Sequence, residues 1–278
     1  LAYPRTGERT LFLRYPVETE SAALSPLLWQ MLGREAEGFV RKPFSDCLTL
    51  VSGGGEELGQ VEGEELCFLP PLSPEAAAWL EAMGERDEPD APKLRGLSCK
   101  RTERGLEARF TVECRFLEDG GLTPGTVTFE RVYLPRPQPE EGAAVTLERS
   151  VVPRVTVWPQ ARLAPELWRA YYVHLHSPET LDVWALDSQG WKMGETRSAK
   201  DELGRRRPQA RAWQTARVDR FPAYVALKRG ALSMGALAND LPFHRLRRDD
   251  AAVIGVDFGS IATTVMLKQG DKVQPASL

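Results

Sequence analysis

The chain has 278 residues, of which 42% are hydrophobic and 27% charged, and its formal net charge is −3. This composition is that of an ordinary globular protein, long enough for one large or two medium domains, and it excludes a disordered chain. The balanced charge is not typical of a dedicated nucleic-acid or anionic-membrane binder, so we expect neither partner. No apolar run approaches the roughly 18 residues that a membrane helix requires, and the sequence predicts a cytoplasmic protein.

Two segments carry helix signals. The segment "SPLLWQMLGREAEGF", 25–39, begins with Ser-Pro and has an apolar face. The stronger segment is "SPEAAAWLEAMG", in which Ser73 can cap the helix, Pro74 fits the first helical position and Gly84 can end it. We therefore predict two helices.

Most of the remaining chain has strand signals, namely alternation or enrichment in β-branched and aromatic residues between Gly, Pro and Asp. The predicted strands lie at 10–15, 47–52, 108–117, 125–134, 144–152, 154–158, 170–176, 181–186 and 223–229. Short strands at this spacing predict a mainly β fold with a few inserted helices, one or two antiparallel β-sandwich-like units and a C-terminal β-hairpin.

Stretches rich in Pro and charged residues at 84–96 and 134–144 indicate domain boundaries. The second of them gives the predicted division: a β-rich domain with two inserted helices at 1–137, a second β-rich unit at 138–250, and the start of a further domain at 251–278. The basic stretch 198–213 is predicted to be a long exposed hairpin loop.

The cysteines contain no Cys-x-x-Cys pair, which argues against both a zinc site and a redox motif. We interpret them as free, buried thiols: Cys47, Cys67, Cys99 and Cys114.

Two further motifs have a functional and a structural interpretation. His174 and His176 lie on one face of a predicted strand, where a third ligand would complete a metal site, but the polar face of an amphipathic strand is favoured. The glycines of 51–60, "VSGGGEELGQ", resemble a phosphate cradle, yet two glutamates follow where a phosphate loop needs a lysine or a helix start. We interpret this segment as a flexible hairpin tip.

Arginines and aromatic residues concentrate in the second half of the chain. An arginine cluster with Trp213 interleaved suits phosphate pairing and stacking, but acidic neighbours favour a solvated loop. The members of the cluster are Arg205, Arg206, Arg207, Arg211, Arg217 and Arg220.

The aromatic residues suit either a sandwich core, which we favour, or a carbohydrate- or peptide-binding surface. They are Trp158, Trp168, Trp184, Trp191, Trp213, Tyr171, Tyr172 and Tyr224.

The segment 251–278 contains two apolar runs typical of buried strands, separated by Asp-Phe-Gly-Ser. Gly259 permits a backbone in which consecutive N–H groups face one anion, and Ser260 and Thr263 add hydroxyl donors. Asp257, at the strand end, is placed to hold a hydrated cation. This combination suits the terminal phosphates of a nucleotide with magnesium, although any Gly-Ser β-turn fits the same pattern.

The run "VIGVDFGSIATTVML" resembles the first phosphate motif of the actin, sugar-kinase and seventy-kilodalton heat-shock-chaperone ATPase superfamily. The resemblance covers 253–278, with Asp257, Gly259, Ser260 and Thr263 matching position by position. It implies that Asp257 approaches Mg²⁺ through water and that the turn wraps the β- and γ-phosphates of ATP. The superfamily's second phosphate motif and adenosine motif do not follow in this sequence.

We therefore expect this chain to be the N-terminal part of a larger bacterial ATPase of the actin or chaperone type. In this hypothesis it is a non-catalytic accessory or interaction region that holds no cofactor itself, while ATP and Mg²⁺ belong to the longer protein. Its partner is another protein or the remainder of its own ATPase domain, and the unpaired edges of the C-terminal hairpin also offer a route to a dimer. The alternative is a self-contained carbohydrate- or peptide-binding β-sandwich module.

Overall fold

A computed structural model describes residues 9–15, 28, 32–52, 58–84, 91–118, 121–148, 153–163, 168–176, 181–197, 213–239, 252–258, 263–269 and 272–275. In these ranges the chain forms nineteen strands and two short α-helices, so the prediction of a mainly β fold with a few helices is confirmed. Neither helix is long and apolar enough to cross a membrane.

The first strands are β1 (Arg9–Tyr15), β2 (Leu48–Ser52), β3 (Gly59–Glu62), β4 (Leu66–Phe68), β5 (Lys93–Thr102), β6 (Gly105–Glu118), β7 (Gly121–Pro135) and β8 (Ala143–Leu147). They are followed by β9 (Val155–Trp158), β10 (Tyr171–Leu175), β11 (Asp182–Asp187), β12 (Gly190–Met193), β13 (Glu195–Arg197), β14 (Trp213–Val218), β15 (Tyr224–Arg229) and β16 (Leu232–Ala238). The last three are β17 (Ala252–Phe258), β18 (Thr263–Gln269) and β19 (Lys272–Pro275). The helices are α1 (Glu37–Arg41), which follows a 3₁₀ turn at Arg34–Ala36, and α2 (Pro74–Gly84).

Helix α2 begins as the sequence predicts. The Ser73 hydroxyl accepts a hydrogen bond from the Ala76 N–H at 2.9 Å, which satisfies one of the unpaired donors of the first turn. The predicted helix at 25–39 is only partly within the described residues. Leu28 and Leu32 are helical and buried there, as predicted. Gly33, however, has a φ of 85°, outside the helical region, so the predicted helix is interrupted at this residue and the chain restarts as the 3₁₀ turn and α1.

The first half of the chain forms a closed barrel of seven strands. The order is β7-β6-β5-β3-β4-β2-β8, and β8 returns to β7 through the Leu134–Ala143 pair. The pairs β3–β5, β2–β8 and β7–β8 are parallel, and β1 adds to the barrel in parallel with β7. This mixed barrel replaces the predicted antiparallel sandwich, because the strand directions follow from long connections that local alternation does not specify.

Two segments near this barrel differ from their sequence interpretation. Strand β4 lies between β2 and β3, so 51–60 does not join neighbouring strands and the predicted hairpin tip is wrong. In the connection 134–144, the Leu134 N–H donates to the Gly142 carbonyl at 2.9 Å, and the Gly142 N–H donates to the Asp46 carbonyl at 2.8 Å. The predicted boundary at residue 137 therefore lies inside one closed sheet.

The second half of the chain forms two four-stranded antiparallel sheets, ordered β9-β10-β14-β13 and β12-β11-β15-β16. Strands β12 and β13 are separated by Gly194 alone, whose N–H donates to the Val183 carbonyl at 2.8 Å. The chain thus passes from one sheet directly into the other at this residue. Strands that switch sheets in this way form the corners of sandwich-like folds.

Two hydrophobic cores share a wall formed by β2, β4 and β8. Leu48, Leu50 and Phe68 face the first core, inside the barrel, while Val51 and Cys67 face the second core, between the barrel and the two antiparallel sheets. These three strands are buried on both faces, which explains their nearly continuous apolar sequences. The two halves of the chain are consequently packed as one body.

Strands β17, β18 and β19 form a three-stranded antiparallel meander. The predicted C-terminal β-hairpin is confirmed by the pairing of β17 with β18 from Ala252–Gln269 to Phe258–Thr263.

Candidate functional site

The phosphate-motif residues lie at one end of the β17–β18 hairpin. Phe258 ends β17 and Thr263 begins β18, so four residues, 259–262, connect the strands. The structure places Asp257 and Thr263 beside this connection, whereas Gly259 and Ser260 lie outside the described residues.

The hairpin register adds a residue that sequence reasoning missed. Asp257 is paired with Thr264, and Thr263 is paired with Phe258. Because directly paired residues occupy the same face of a sheet, the positions of Asp257 and Thr264 share one face. The signal that identifies Thr264 is the register, which becomes available only when the length of the connection is known.

A second candidate surface is the solvent side of the sheet β9-β10-β14-β13, which we call the outer face. The inner face packs into the second core through residues such as Val157, Val173 and Ala216. Strand alternation and the register of the paired positions place the intervening residues on the outer face. They are Thr156, Trp158, Tyr172, His174, His176, Glu195, Arg197, Trp213, Thr215 and Arg217.

A row of aromatic and imidazole rings crosses this outer face. Trp158 is 54% exposed, and its ring centroid lies 5.7 Å from that of Trp168 and 5.9 Å from that of Tyr172. The row continues to His174, whose ring is nearly parallel to that of Tyr172 at 6.5 Å, and then to His176 at a further 6.5 Å. The row is exposed at Trp158 and His176 and half-buried between and beside them, at Trp168, Tyr172 and His174.

Hydroxyl groups hold the two imidazoles of the row. His174 Nδ1 lies 3.0 Å from Thr215 Oγ1, and His176 Nε2 lies 3.0 Å from Thr156 Oγ1. The prediction that both histidines occupy the polar face of an amphipathic strand is confirmed, because their neighbours Val173 and Leu175 are buried. Within the described residues, no group of three or more His, Cys, Asp or Glu could hold a metal ion.

Of the other aromatic residues of 158–224, Trp213 also lies on the outer face, whereas Tyr171 lies on the inner face and Trp184, Trp191 and Tyr224 belong to the other sheet. Tyr171 is fully buried, and Trp191 and Tyr224 pack against the first core, as a core interpretation predicts. The Lys228 ammonium lies over the ring of Trp184, 4.2 Å from the ring centroid. The core interpretation is thus right for part of the set and wrong for Trp158.

The predicted arginine cluster is divided by the structure. Arg217 is exposed on the outer face, opposite Tyr172. Arg220 instead lies 3.5 Å from the buried Glu81 carboxylate of α2 and has a structural role. Arg205, Arg206, Arg207 and Arg211 lie outside the described residues. The strands that flank 198–212 pair in antiparallel fashion, which confirms that this segment connects a hairpin.

The four cysteines are free and buried, as predicted. Burial raises the pKa of Cys99 and Cys114 to about 12. Burial and the neighbouring Asp46 carboxylate raise the pKa of Cys47 to about 11, and its thiol donates to the Glu140 carbonyl at 3.0 Å. Thiols held protonated in this way are poor nucleophiles.

Comparison of the chain with protein-family models, curated proteins and solved structures found no match.

Proposed function

We propose that 252–275 are the opening strands of a nucleotide-binding domain of the actin, sugar-kinase and heat-shock-chaperone type. The β-rich region before them is, in this proposal, its non-catalytic accessory or interaction region. The observation that carries the proposal is the position of Asp257 and Thr263 beside the four-residue connection of an antiparallel hairpin. The continuation of the hairpin into β19 as a meander also supports it.

The proposed site has ligands of the kind that Mg²⁺ and phosphate require. Magnesium prefers oxygen ligands and keeps several of its waters, so a carboxylate at position 257 suits water-mediated binding. Ser260 and Thr264 carry hydroxyl donors of the kind that phosphate oxygens accept, and the position of Thr264 shares a face with Asp257. Thr263 is also a hydroxyl residue beside the connection, but its position pairs with Phe258 and lies on the other face. When bound, Mg²⁺ would neutralise charge on the β- and γ-phosphates.

The accessory role is supported by the way that 9–239 pack. The barrel and the two antiparallel sheets share the doubly buried strands β2, β4 and β8, so 9–239 form one packed body. The surface of such a body suits contacts with another protein or with the remainder of the same ATPase domain.

The proposal is tested on the natural gene product at its full encoded length. We expect Mg²⁺-dependent ATP binding, measured by isothermal titration calorimetry. The Asp257→Asn variant should weaken it by about 10- to 100-fold, as expected when a group that orients metal-bound water is lost. Asp271→Asn, which changes an acidic residue just before β19, is the matched control and should bind like the unmodified protein.

Two results would argue against this function. One is ATP binding that is independent of Mg²⁺ and unchanged by Asp257→Asn. The other is ATP turnover by the 278-residue chain alone, since the proposal assigns to this chain only one part of the nucleotide site.

A further inference from the structure

The outer face of the sheet β9-β10-β14-β13 combines exposed aromatic rings with two arginine positions, 197 and 217, of which Arg217 is exposed. We propose that this face binds single-stranded nucleic acid, with bases stacked on its rings and phosphates paired with its arginines. The inference is independent of the ATPase proposal, because it concerns a different sheet and different residues.

The stacking surface is the row from Trp168 through Trp158, Tyr172 and His174 to His176. Its successive ring centroids are 5.7, 5.9, 6.5 and 6.5 Å apart. Every nucleobase has a flat π face, so such a row accepts successive bases of an unpaired strand without a fixed sequence. An exposed face of a four-stranded antiparallel sheet is also wide enough to carry a splayed single strand across its central strands.

The rings are in place before a ligand arrives. The contacts from Thr215 to His174 and from Thr156 to His176, each 3.0 Å, fix the imidazole planes. Trp158 is held between Trp168 and Tyr172, and its cross-strand partner is Tyr172 itself. A pre-organised surface loses less conformational entropy on binding.

The charge on this face favours a polyanion over a neutral ligand. Arg217 is exposed and pairs with Tyr172 across the sheet, and the position of Arg197 pairs with Trp213. Among the outer-face positions that the structure describes, Glu195 is the one carboxylate. A neutral saccharide would use the rings but not the basic positions, whereas a phosphodiester backbone uses both.

The net charge of the whole chain conceals this concentration of basic residues. The chain carries −3 overall, yet 151–220 contains twelve basic and eight acidic residues. The sequence-based expectation of no nucleic-acid partner uses the charge of the whole chain. The outer face has two arginine positions, 197 and 217, and one carboxylate position, Glu195.

The test uses the whole 278-residue chain and two fluorescent probes of about twelve nucleotides, oligouridylate and oligodeoxyuridylate, a length within the usual range of single-strand sites. Fluorescence anisotropy is measured at low and at physiological salt. We expect Trp158→Ala and Tyr172→Ala each to weaken binding at least about fivefold through lost stacking. Arg217→Gln should weaken binding and reduce the log–log salt slope by about 0.7.

The matched control is Phe12→Ala. Phe12 is also an exposed aromatic residue, 42% accessible, with the guanidinium groups of Arg14 and Arg109 at 5.6 and 5.4 Å from its ring centroid, but it lies on β1. This variant should bind like the unmodified chain. Circular dichroism of every variant establishes that the fold is retained.

If oligouridylate binds more tightly than oligodeoxyuridylate, the face contacts the ribose 2′-hydroxyl. If the two probes bind equally, recognition is through bases and phosphates. Both results support the proposal. Three results would overturn it. They are no binding of either probe at low salt, binding that Trp158→Ala and Tyr172→Ala leave unchanged, and equally tight binding of polyglutamate or a sulfated polysaccharide.

Discussion

The Asp46 carboxylate accepts a hydrogen bond from the main-chain N–H of Ser233, at 2.8 Å, and this contact joins the two halves of the chain. Its other oxygen lies 2.9 Å from the Lys42 ammonium. Next to it, the Cys47 N–H donates to the Ser233 carbonyl at 3.1 Å and the Thr49 hydroxyl donates to the Met234 carbonyl at 3.0 Å. The edge of β16 is thereby bonded to the barrel segment around β2.

Replacing this carboxylate should destabilise the whole protein. Asp46→Ala leaves the buried Ser233 N–H without its acceptor, and we expect the free energy of unfolding to fall by about 2–3 kcal/mol, as for a lost hydrogen bond to a charged group. Urea denaturation followed by tryptophan fluorescence measures it. Lys42→Met is the control. It removes the ammonium partner of Asp46, which is 45% exposed, and should lower the free energy of unfolding by at most about 1 kcal/mol. Equal effects of the two substitutions would contradict a dominant role for the Ser233 bond.

The approach of β16 to the segment after β4 should not tolerate a side chain at Gly235. This glycine has a φ of +147°, and a Cβ atom there would lie 2.7 Å from the Pro70 carbonyl oxygen. Because Ala236 N–H donates to the same oxygen at 3.0 Å, the backbone has little freedom to retreat. We expect Gly235→Ala to lower the free energy of unfolding by more than about 2 kcal/mol.

Gly230→Ala is the matched control for this close approach. Gly230 also has a positive φ, +60°, but a Cβ atom there meets nothing within 4 Å. We expect this substitution to lower the free energy of unfolding by only about 1 kcal/mol, which is the cost of placing a residue with a Cβ atom in the left-handed region. If the two variants unfold at the same urea concentration, the close contact between the two halves is absent in solution.

The sequence predicts local elements well because their determinants are local. Ser73 and Pro74 determine the start of α2, and the alternation of β6 and β7 identifies both strands. The closure of the barrel depends on pairs such as Leu48 with Ala144, far apart in the chain. Alternation indicates that a residue is in a strand, but not which strand lies next to it or in which direction.

The candidate sites show the same limit. Asp257 and Thr263 are recognisable from a motif, whereas Thr264 emerges only from the register of β17 with β18. Tyr171 and Tyr172 are adjacent and chemically alike, yet one is fully buried and the other lies on the outer face. The phase of the alternation decides between them, and it is set by packing against β2, β4 and β8.

The stability contributed by Asp187 should depend on pH. Burial raises the pKa of this carboxyl, but hydrogen bonds from Lys192 at 2.7 Å and from the main-chain N–H groups of Gln189 and Asp219 outweigh burial and leave the pKa below its ordinary value. Because the pKa of Asp187 is lower in the folded than in the unfolded chain, its ionised carboxylate stabilises the protein at pH values above the unfolded pKa of about 3.9. This stabilisation is lost as the pH falls through the folded pKa.

We therefore expect Asp187→Asn to lower the free energy of unfolding by about 1–2 kcal/mol at pH 7. The difference from the unmodified protein should shrink below about pH 4. Urea titrations at a series of pH values measure it. Lys192→Met, which removes the ammonium partner, should move the acid transition to higher pH. A difference that stays constant from pH 7 to pH 3 would show that the ionised carboxylate is not the stabilising form.

The buried thiols should be inert in the native protein. Burial raises the pKa of Cys99 and Cys114 to about 12, so the reactive thiolate is scarce at pH 8, and Cys67 is likewise buried. We expect the native chain to leave a chromogenic disulfide reagent unreacted over minutes, and all four cysteines to react at once in concentrated urea. Met193→Cys places a thiol at a position that is 54% exposed and should add one fast-reacting group, which verifies the reagent. Rapid reaction of Cys47 or Cys67 in the unmodified chain would contradict the packing of the shared wall between the two cores, because Cys67 lies in β4 and Cys47 directly precedes β2.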